Sequence, residues 1–133
     1  MAEAIEFDVV HEYSPYEIGI RIEATLRNGD LQVDTNARFD TGSTFCIFKR
    51  YLGEDLGFTI ETGIPVMIGT ATGSFHAFGH ELVLTVLGLE FVSTGYFAES
   101  EYFDRNVLGR TGFLDRVKFG LIEPESKLYL SRY

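Results

Sequence analysis

The sequence predicts an all-β fold with one or two short helices, and three observations carry that expectation. Ile18, Ile20, Ile22, Ala24 and Leu26 alternate with Gly19, Arg21, Glu23, Thr25 and Arg27, the period of two expected of a half-buried strand. Asn28-Gly29 follows at once, a strong hairpin signal because both residues tolerate positive φ. Over the whole chain, 12 phenylalanines, 7 tyrosines and 14 glycines accompany few helical patterns. Short apolar runs separated by turn signals about every eight to twelve residues point to a barrel or sandwich.

Taken in order, residues 31–39 read as the strand returning from the hairpin and end in a turn at Asp40-Thr41-Gly42. Residues 45–48 form a short apolar strand, and residues 49–56 hold one or two helical turns stopped by Gly57. Residues 64–68 lead into Gly69-Thr70-Ala71-Thr72-Gly73, a hairpin tip, and residues 75–87 run back. Gly88 punctuates, and residues 89–97 continue the sheet. Residues 99–105 are a polar loop, and a short helix is expected over 111–116. Residues 117–122, the turn at Glu123-Pro124-Glu125 and residues 127–130 make a terminal hairpin.

A length of 133 residues suits one domain, taken here as 1–133, with a core that needs neither metal nor disulfide. A formal charge of −9, with no basic run longer than Lys49-Arg50, disfavours nucleic acid as a partner. No apolar run nears the ~20 residues of a membrane span, so no membrane partner is expected. The acidic start, Met1-Ala2-Glu3-Ala4, lacks a secretory pattern, and the lone Cys46 suits a reducing compartment. A cytoplasmic location is the expectation. His76 and His80 share a strand face about 13 Å apart by rise, too far for one ion, so no metal or other cofactor is expected. No Gly-x-Ser-x-Gly elbow supports a serine hydrolase, and no lysine follows the glycines of residues 69–73 as a phosphate loop requires.

The chemistry concentrates at Asp40-Thr41-Gly42-Ser43. Alone, such a run is often a plain turn. Here it stands between an apolar strand ending at Phe39 and the apolar Phe45-Cys46-Ile47-Phe48, where an acid is costly unless hydrogen-bonded. Downstream lie the hairpin preceded by Pro65-Val66-Met67-Ile68 and then Val107-Leu108-Gly109-Arg110. In this order, and over roughly residues 18–131, the chain resembles the retropepsin-like aspartic peptidases, single-domain relatives of the retroviral proteases.

That resemblance implies an aspartic endopeptidase, one lobe per chain, active as a homodimer on peptide or protein substrates. Asp40, Thr41 and Gly42 would be catalytic, Thr41 bonding across the axis and Gly42 letting backbone lie against substrate. Two carboxylates sharing one proton supply the acid and the base that peptide hydrolysis needs. The chain carries one Asp-Thr-Gly, since Asp34-Thr35-Asn36 lacks the glycine, so two chains are required, and a twofold dimer is the simplest way to pair them. The pair should titrate as a coupled unit. Ser43 is expected to donate to the outer oxygen of Asp40, so that Ser43→Ala moves the acid limb of the pH–rate profile upward. Gly69, Thr70, Ala71, Thr72 and Gly73 would be a flap closing over substrate. Leu108, Gly109 and Arg110 would be the family's structural motif, followed by Thr111-Gly112 where relatives carry Asn or Asp. Retroviral members also place an aspartate where this chain has Thr44-Phe45, so Arg110 is expected to satisfy local carbonyls instead. Cleft apolarity is expected from Ile47, Ile68 and Val107, and residues 1–17 either join a dimer sheet or hang free. The alternative is a non-catalytic dimeric peptide-binding module on the same fold.

Overall fold

The hairpin signalled at Asn28-Gly29 turns through Gly29 and Asp30 in the computed structural model, which describes residues 1–133, with Asn28 remaining in its strand opposite Leu31. Strand β1 spans Val9–Glu12, β2 Ile20–Asn28 and β3 Leu31–Phe39. β2 and β3 pair antiparallel from Ile20↔Phe39 to Asn28↔Leu31, with Gly29 at φ +58°. Their alternation buries Ile22, Ala24, Leu26, Ala37 and Phe39. The opposite face carries polar side chains, so a slip of one residue would expose the whole apolar set.

After β3 the chain makes the short β4, Ile47–Phe48, and helix α1, Arg50–Asp55. The long hairpin follows as β5 (Ile64–Thr70), β6 (Gly73–Val86) and β7 (Leu89–Ala98). β6 shares one edge between two partners: residues 73–79 pair with β5 and residues 83–86 pair with β2. Its other edge is taken by β7 over residues 77–86. The β6–β7 turn holds Leu87 at φ 51° and Gly88 at φ 80°, the two positive values that a tight right-twisted hairpin requires. β8, Val107–Leu108, then slots between β3, to which it is parallel, and β4, to which it is antiparallel. The β2–β6 pairing closes the order β2-β3-β8-β4-β7-β6 into a barrel.

The chain ends with β9 (Val117–Ile122) and β10 (Lys127–Arg132), which form a second sheet in the order β1-β10-β9. Leu128 and Leu130 on β10 and Phe113 before β9 join the barrel's apolar cluster, so one core underlies both sheets. Of residues 1–17, positions 9–12 pair with β10 of their own chain. Tyr13 is buried, with its hydroxyl donating to Glu123 at 2.8 Å.

Three elements differ from expectation. The helix over 111–116 is only a 3-10 turn, Leu114–Arg116, because Thr111 is drawn into a bridge with Phe45 and Gly112 sits at φ +105°. β4 begins at Ile47 rather than at residue 45, Phe45 having only that isolated bridge. The tip at 69–73 is tighter than expected: Gly69 and Thr70 pair with Ser74 and Gly73, leaving Ala71 and Thr72 as the turn.

Candidate active site

Asp40 sits where β3 leaves the barrel wall. Its N–H donates to the Leu108 carbonyl at 3.0 Å, one step beyond the bond from Arg38 N–H to the Asn106 carbonyl at 2.8 Å. The parallel ladder to β8 therefore fixes the backbone of the acid itself. The chain then reverses: Gly42 N–H donates to Asp40 Oδ1 at 2.8 Å, and Ser43 N–H to the Asp40 carbonyl at 3.3 Å. The carboxylate is half-buried, orientated by its own loop, while Thr41 and Gly42 are exposed beside it. A carboxylate accepting a backbone N–H in a fixed direction is positioned for proton transfer without rearrangement.

A second set of bonds holds the loop from below. Arg110 N–H donates to the Ser43 carbonyl and Thr111 N–H to the Thr44 carbonyl, both at 2.8 Å. Between these crossing strands there is no room for a side chain. A Cβ on Gly109 would lie 2.2 Å from the Phe45 carbonyl oxygen and 2.7 Å from that of Ser43. Leu108 is fully buried beneath. Leu108-Gly109-Arg110 thus acts through backbone, clamping the Asp40 loop against β8.

Two side-chain expectations are corrected here. The Ser43 hydroxyl donates to the Phe45 carbonyl at 2.8 Å rather than to Asp40, because the tight turn places that carbonyl two residues on within its reach. The Arg110 guanidinium is exposed and bonds no carbonyl, since the loop carbonyls nearby are taken by backbone N–H groups. It lines a shallow groove with Thr41, Leu114, Asp115 and Phe119 instead. Ile47 and Val107 face each other across β4 and β8 at 5% and 7% exposure. Of the three apolar residues expected to line a cleft, only the half-buried Ile68 opens appreciably to solvent.

Gly69, Thr70, Ala71, Thr72 and Gly73 are all exposed at the end of the β5–β6 hairpin. Thr70 Oγ1 donates to the Gly73 carbonyl at 2.9 Å, stiffening the tip. Below it Phe75 packs on Phe103, ring centroids 4.8 Å apart, joining the hairpin to the polar loop before β8. Asp34 accepts from Thr25 Oγ1 at 2.8 Å on the exposed face of the first hairpin, a cross-strand pair and not a second acid loop. Each histidine is engaged or placed separately. His11 contacts the Arg21 carbonyl, His80 the Ile60 carbonyl at 2.9 Å with its ring stacked on Phe58, and His76 is exposed. Cys46 is buried, and desolvation pushes its thiol up to about 12, which makes it a poor nucleophile.

Sequence reasoning missed two features near Asp40. The outer edge of β9 has no strand neighbour, and its core-facing Phe119 and Leu121 remain 40% and 45% exposed. A polar pocket also gathers Arg21, Arg38, Lys49 and Arg105, residues scattered along the chain.

No protein-family model matches the sequence, and no curated protein matches it. Among solved structures, the chain is similar to a retropepsin-like aspartic protease from Rickettsia conorii. The likeness has a TM-score of 0.69 at 21% identity and covers 92% of this chain and 97% of that one. The architecture is thereby a retropepsin-like fold, mostly strand with one short α-helix.

Proposed function

We propose that two copies of this chain form an aspartic endopeptidase in which their Asp40 carboxylates share a water at a twofold axis. The observation that carries this reading is the Asp40 loop. One carboxylate, half-buried, is orientated by Gly42 N–H, and its loop is held by one backbone bond from Asp40 to Leu108 of β8 and two more, from Arg110 and Thr111 just beyond β8 to Ser43 and Thr44. A lone acid cannot be both base and acid in the same encounter, whereas two acids a few ångström apart keep one proton between them. The unprotonated partner takes a proton from water as the water oxygen attacks the peptide carbonyl carbon, and the protonated one donates its proton to the carbonyl oxygen. Collapse of the tetrahedral adduct then breaks the C–N bond as a proton passes from the dyad to the leaving amine. Thr41, exposed beside Asp40, bonds to its counterpart across the axis. The β5–β6 hairpin covers the substrate and excludes water, adding backbone bonds to an extended peptide as an added strand does.

The second subunit also accounts for the apolar edge. A six-residue strand with open backbone groups and half-exposed Phe119 and Leu121 invites pairing. It adjoins the groove containing Thr41 and Arg110, so a second copy there would bring the two acid loops together. C2 pairing of this kind is the commonest oligomeric arrangement.

Cleavage of casein and of a peptide library between about pH 4 and 6, with Asp40→Asn as control, tests the reading. Activity lost in Asp40→Asn supports it. A pure wild-type dimer that cuts nothing leaves a non-catalytic peptide-binding module, and an active Asp40→Asn protein means another residue does the chemistry.

A further inference from the structure

Four of the chain's 11 lysines and arginines converge on one depression of ≈ 300 Å³ that no apolar side chain lines. Arg21 comes from β2, Arg38 from β3, Lys49 from the start of α1 and Arg105 from the loop before β8. On a molecule of formal charge −9, cations brought this close repel one another unless an anion lies among them. The chain supplies one carboxylate there, Asp104, 3.2 Å from Lys49 Nζ and itself largely in solvent. Arg21, Arg38 and Arg105 have no carboxylate partner, as is also true of Arg110 and Arg132 elsewhere, whereas Arg27 and Arg116 each have one and Arg50 has two.

The walls are fixed. Buried Asn106 donates through Nδ2 to Thr35 Oγ1 at 2.8 Å, and its Oδ1 accepts from Lys49 N–H at 2.9 Å. One amide thus ties β3, the residue before β8 and the start of α1 into one frame. The stem of Arg38 lies against Gly19, where a Cβ would sit 3.0–3.2 Å from its Cγ, Cδ and Nε.

The pocket is also registered to the acid. Arg38 and Asp40 both donate backbone N–H groups to the segment Asn106 to Leu108. Arg38 lies two residues before Asp40, which an extended chain spans in about 7 Å. An extended peptide advances about 3.3 Å per residue, so the pocket faces side chains within roughly three residues of a bond held at Asp40.

We propose that this pocket receives the carboxylate side chain of a glutamate or aspartate in the substrate, making acidic peptides the preferred class. The inference rests on the endopeptidase reading for the identity of its ligand, not for the anion site itself. Charge-assisted hydrogen bonds from arginine supply the selectivity. Because the pocket is open to solvent, the preference weakens as salt rises.

The test uses extended peptides with blocked termini, in pairs that differ by Glu or Gln at each position within three of the cut. Wild-type protein should cut the Glu member at least about tenfold better at one position, mainly through KM, as charge-assisted hydrogen bonds allow. In Arg38→Gln, and in Arg105→Gln should the first variant misfold, that ratio should fall toward one. Equal cutting of both members, or a ratio untouched by either arginine change, overturns the inference and leaves the endopeptidase standing. A second arm needs no cleavage: Asp40→Asn protein is titrated with the acidic peptide, its Gln counterpart and inorganic phosphate, reading the arginine side-chain NMR signals. Signals that move with the acidic peptide alone support the pocket even if no peptide is ever cut, in which case the endopeptidase reading fails by itself. Signals that move with phosphate and not with the acidic peptide assign it to a free oxyanion, and no movement at all removes it; both overturn the proposal.

Discussion

Gly109→Ala should damage the acid loop more than any other single methyl group added to a glycine that already has an ordinary φ. The added Cβ would meet the Phe45 carbonyl oxygen at 2.2 Å, its carbon at 2.7 Å and the Ser43 carbonyl oxygen at 2.7 Å. All three are backbone atoms, so no rotamer change relieves the contact, and the crossing segments must part by about 1 Å to restore van der Waals spacing. Overpacking of this kind costs about 1–3 kcal/mol. Parting the segments also strains the bonds from Arg110 N–H to Ser43 and from Thr111 N–H to Thr44, each worth about 0.5–1.5 kcal/mol. The sum is a loss of about 2–6 kcal/mol, which at a typical m-value of about 2 kcal/mol/M lowers a urea midpoint by roughly 1 M or more. In the endopeptidase reading, a displacement of about 1 Å at the loop costs up to ~100-fold in kcat. Urea unfolding followed by fluorescence or circular dichroism reads the first quantity, and steady-state cleavage by the folded fraction reads the second. Gly69→Ala is the stability control, since nothing lies within 4 Å of its added Cβ. A Gly109→Ala protein as stable as that control would refute the close crossing of β8 beneath the acid.

Ser43→Ala should lose about 1 kcal/mol from its bond to the Phe45 carbonyl and leave the acid limb of the pH–rate profile in place. A displaced acid limb would show that the hydroxyl serves Asp40 after all. Cys46, its thiol pushed up to about 12 by burial, should resist a thiol reagent at pH 8 until denaturant is added; rapid labelling of native protein would contradict that burial. Arg50 hydrogen-bonds Glu61 and holds its carboxyl below the usual range. A lowered folded value stabilises the protein above the ordinary carboxylate pKa of about 4.3 and is lost as pH falls through the folded value. Glu61→Gln should therefore be less stable than wild type at pH 7 and no different in strong acid, as read from urea midpoints; a gap that widens in acid would reverse the argument.

Much of the barrel was legible because its signals are local. The alternation of residues 20–26 and the turn after Asn28 define the first hairpin, although Ile18, expected in the same strand, lies before β2 and is exposed, and the apolar stretches around Gly88 define the second. The helix expected over 111–116 failed because Thr111 is claimed by a bridge to Phe45, 66 positions away in the chain, and no local pattern records such a partner. Ser43 was misassigned for a related reason: the turn brings a backbone carbonyl nearer to its hydroxyl than the carboxylate. The basic pocket was readable in part. A two-residue turn after Asn28 sets Arg21 opposite Arg38, a pairing available from the hairpin register alone. Lys49 and Arg105 arrive through the insertion of β8 between β3 and β4, which only the closed barrel reveals.

Subunit mixing tests the shared dyad most directly. Wild-type protein at fixed concentration is equilibrated with increasing Asp40→Asn protein, and peptide cleavage is measured at each ratio. If each active centre needs an Asp40 from both chains, inactive heterodimers accumulate and activity falls to about one tenth at a roughly ninefold excess. Activity that stays constant across the whole range would contradict the claim, because each chain would then be cutting with its own residues alone.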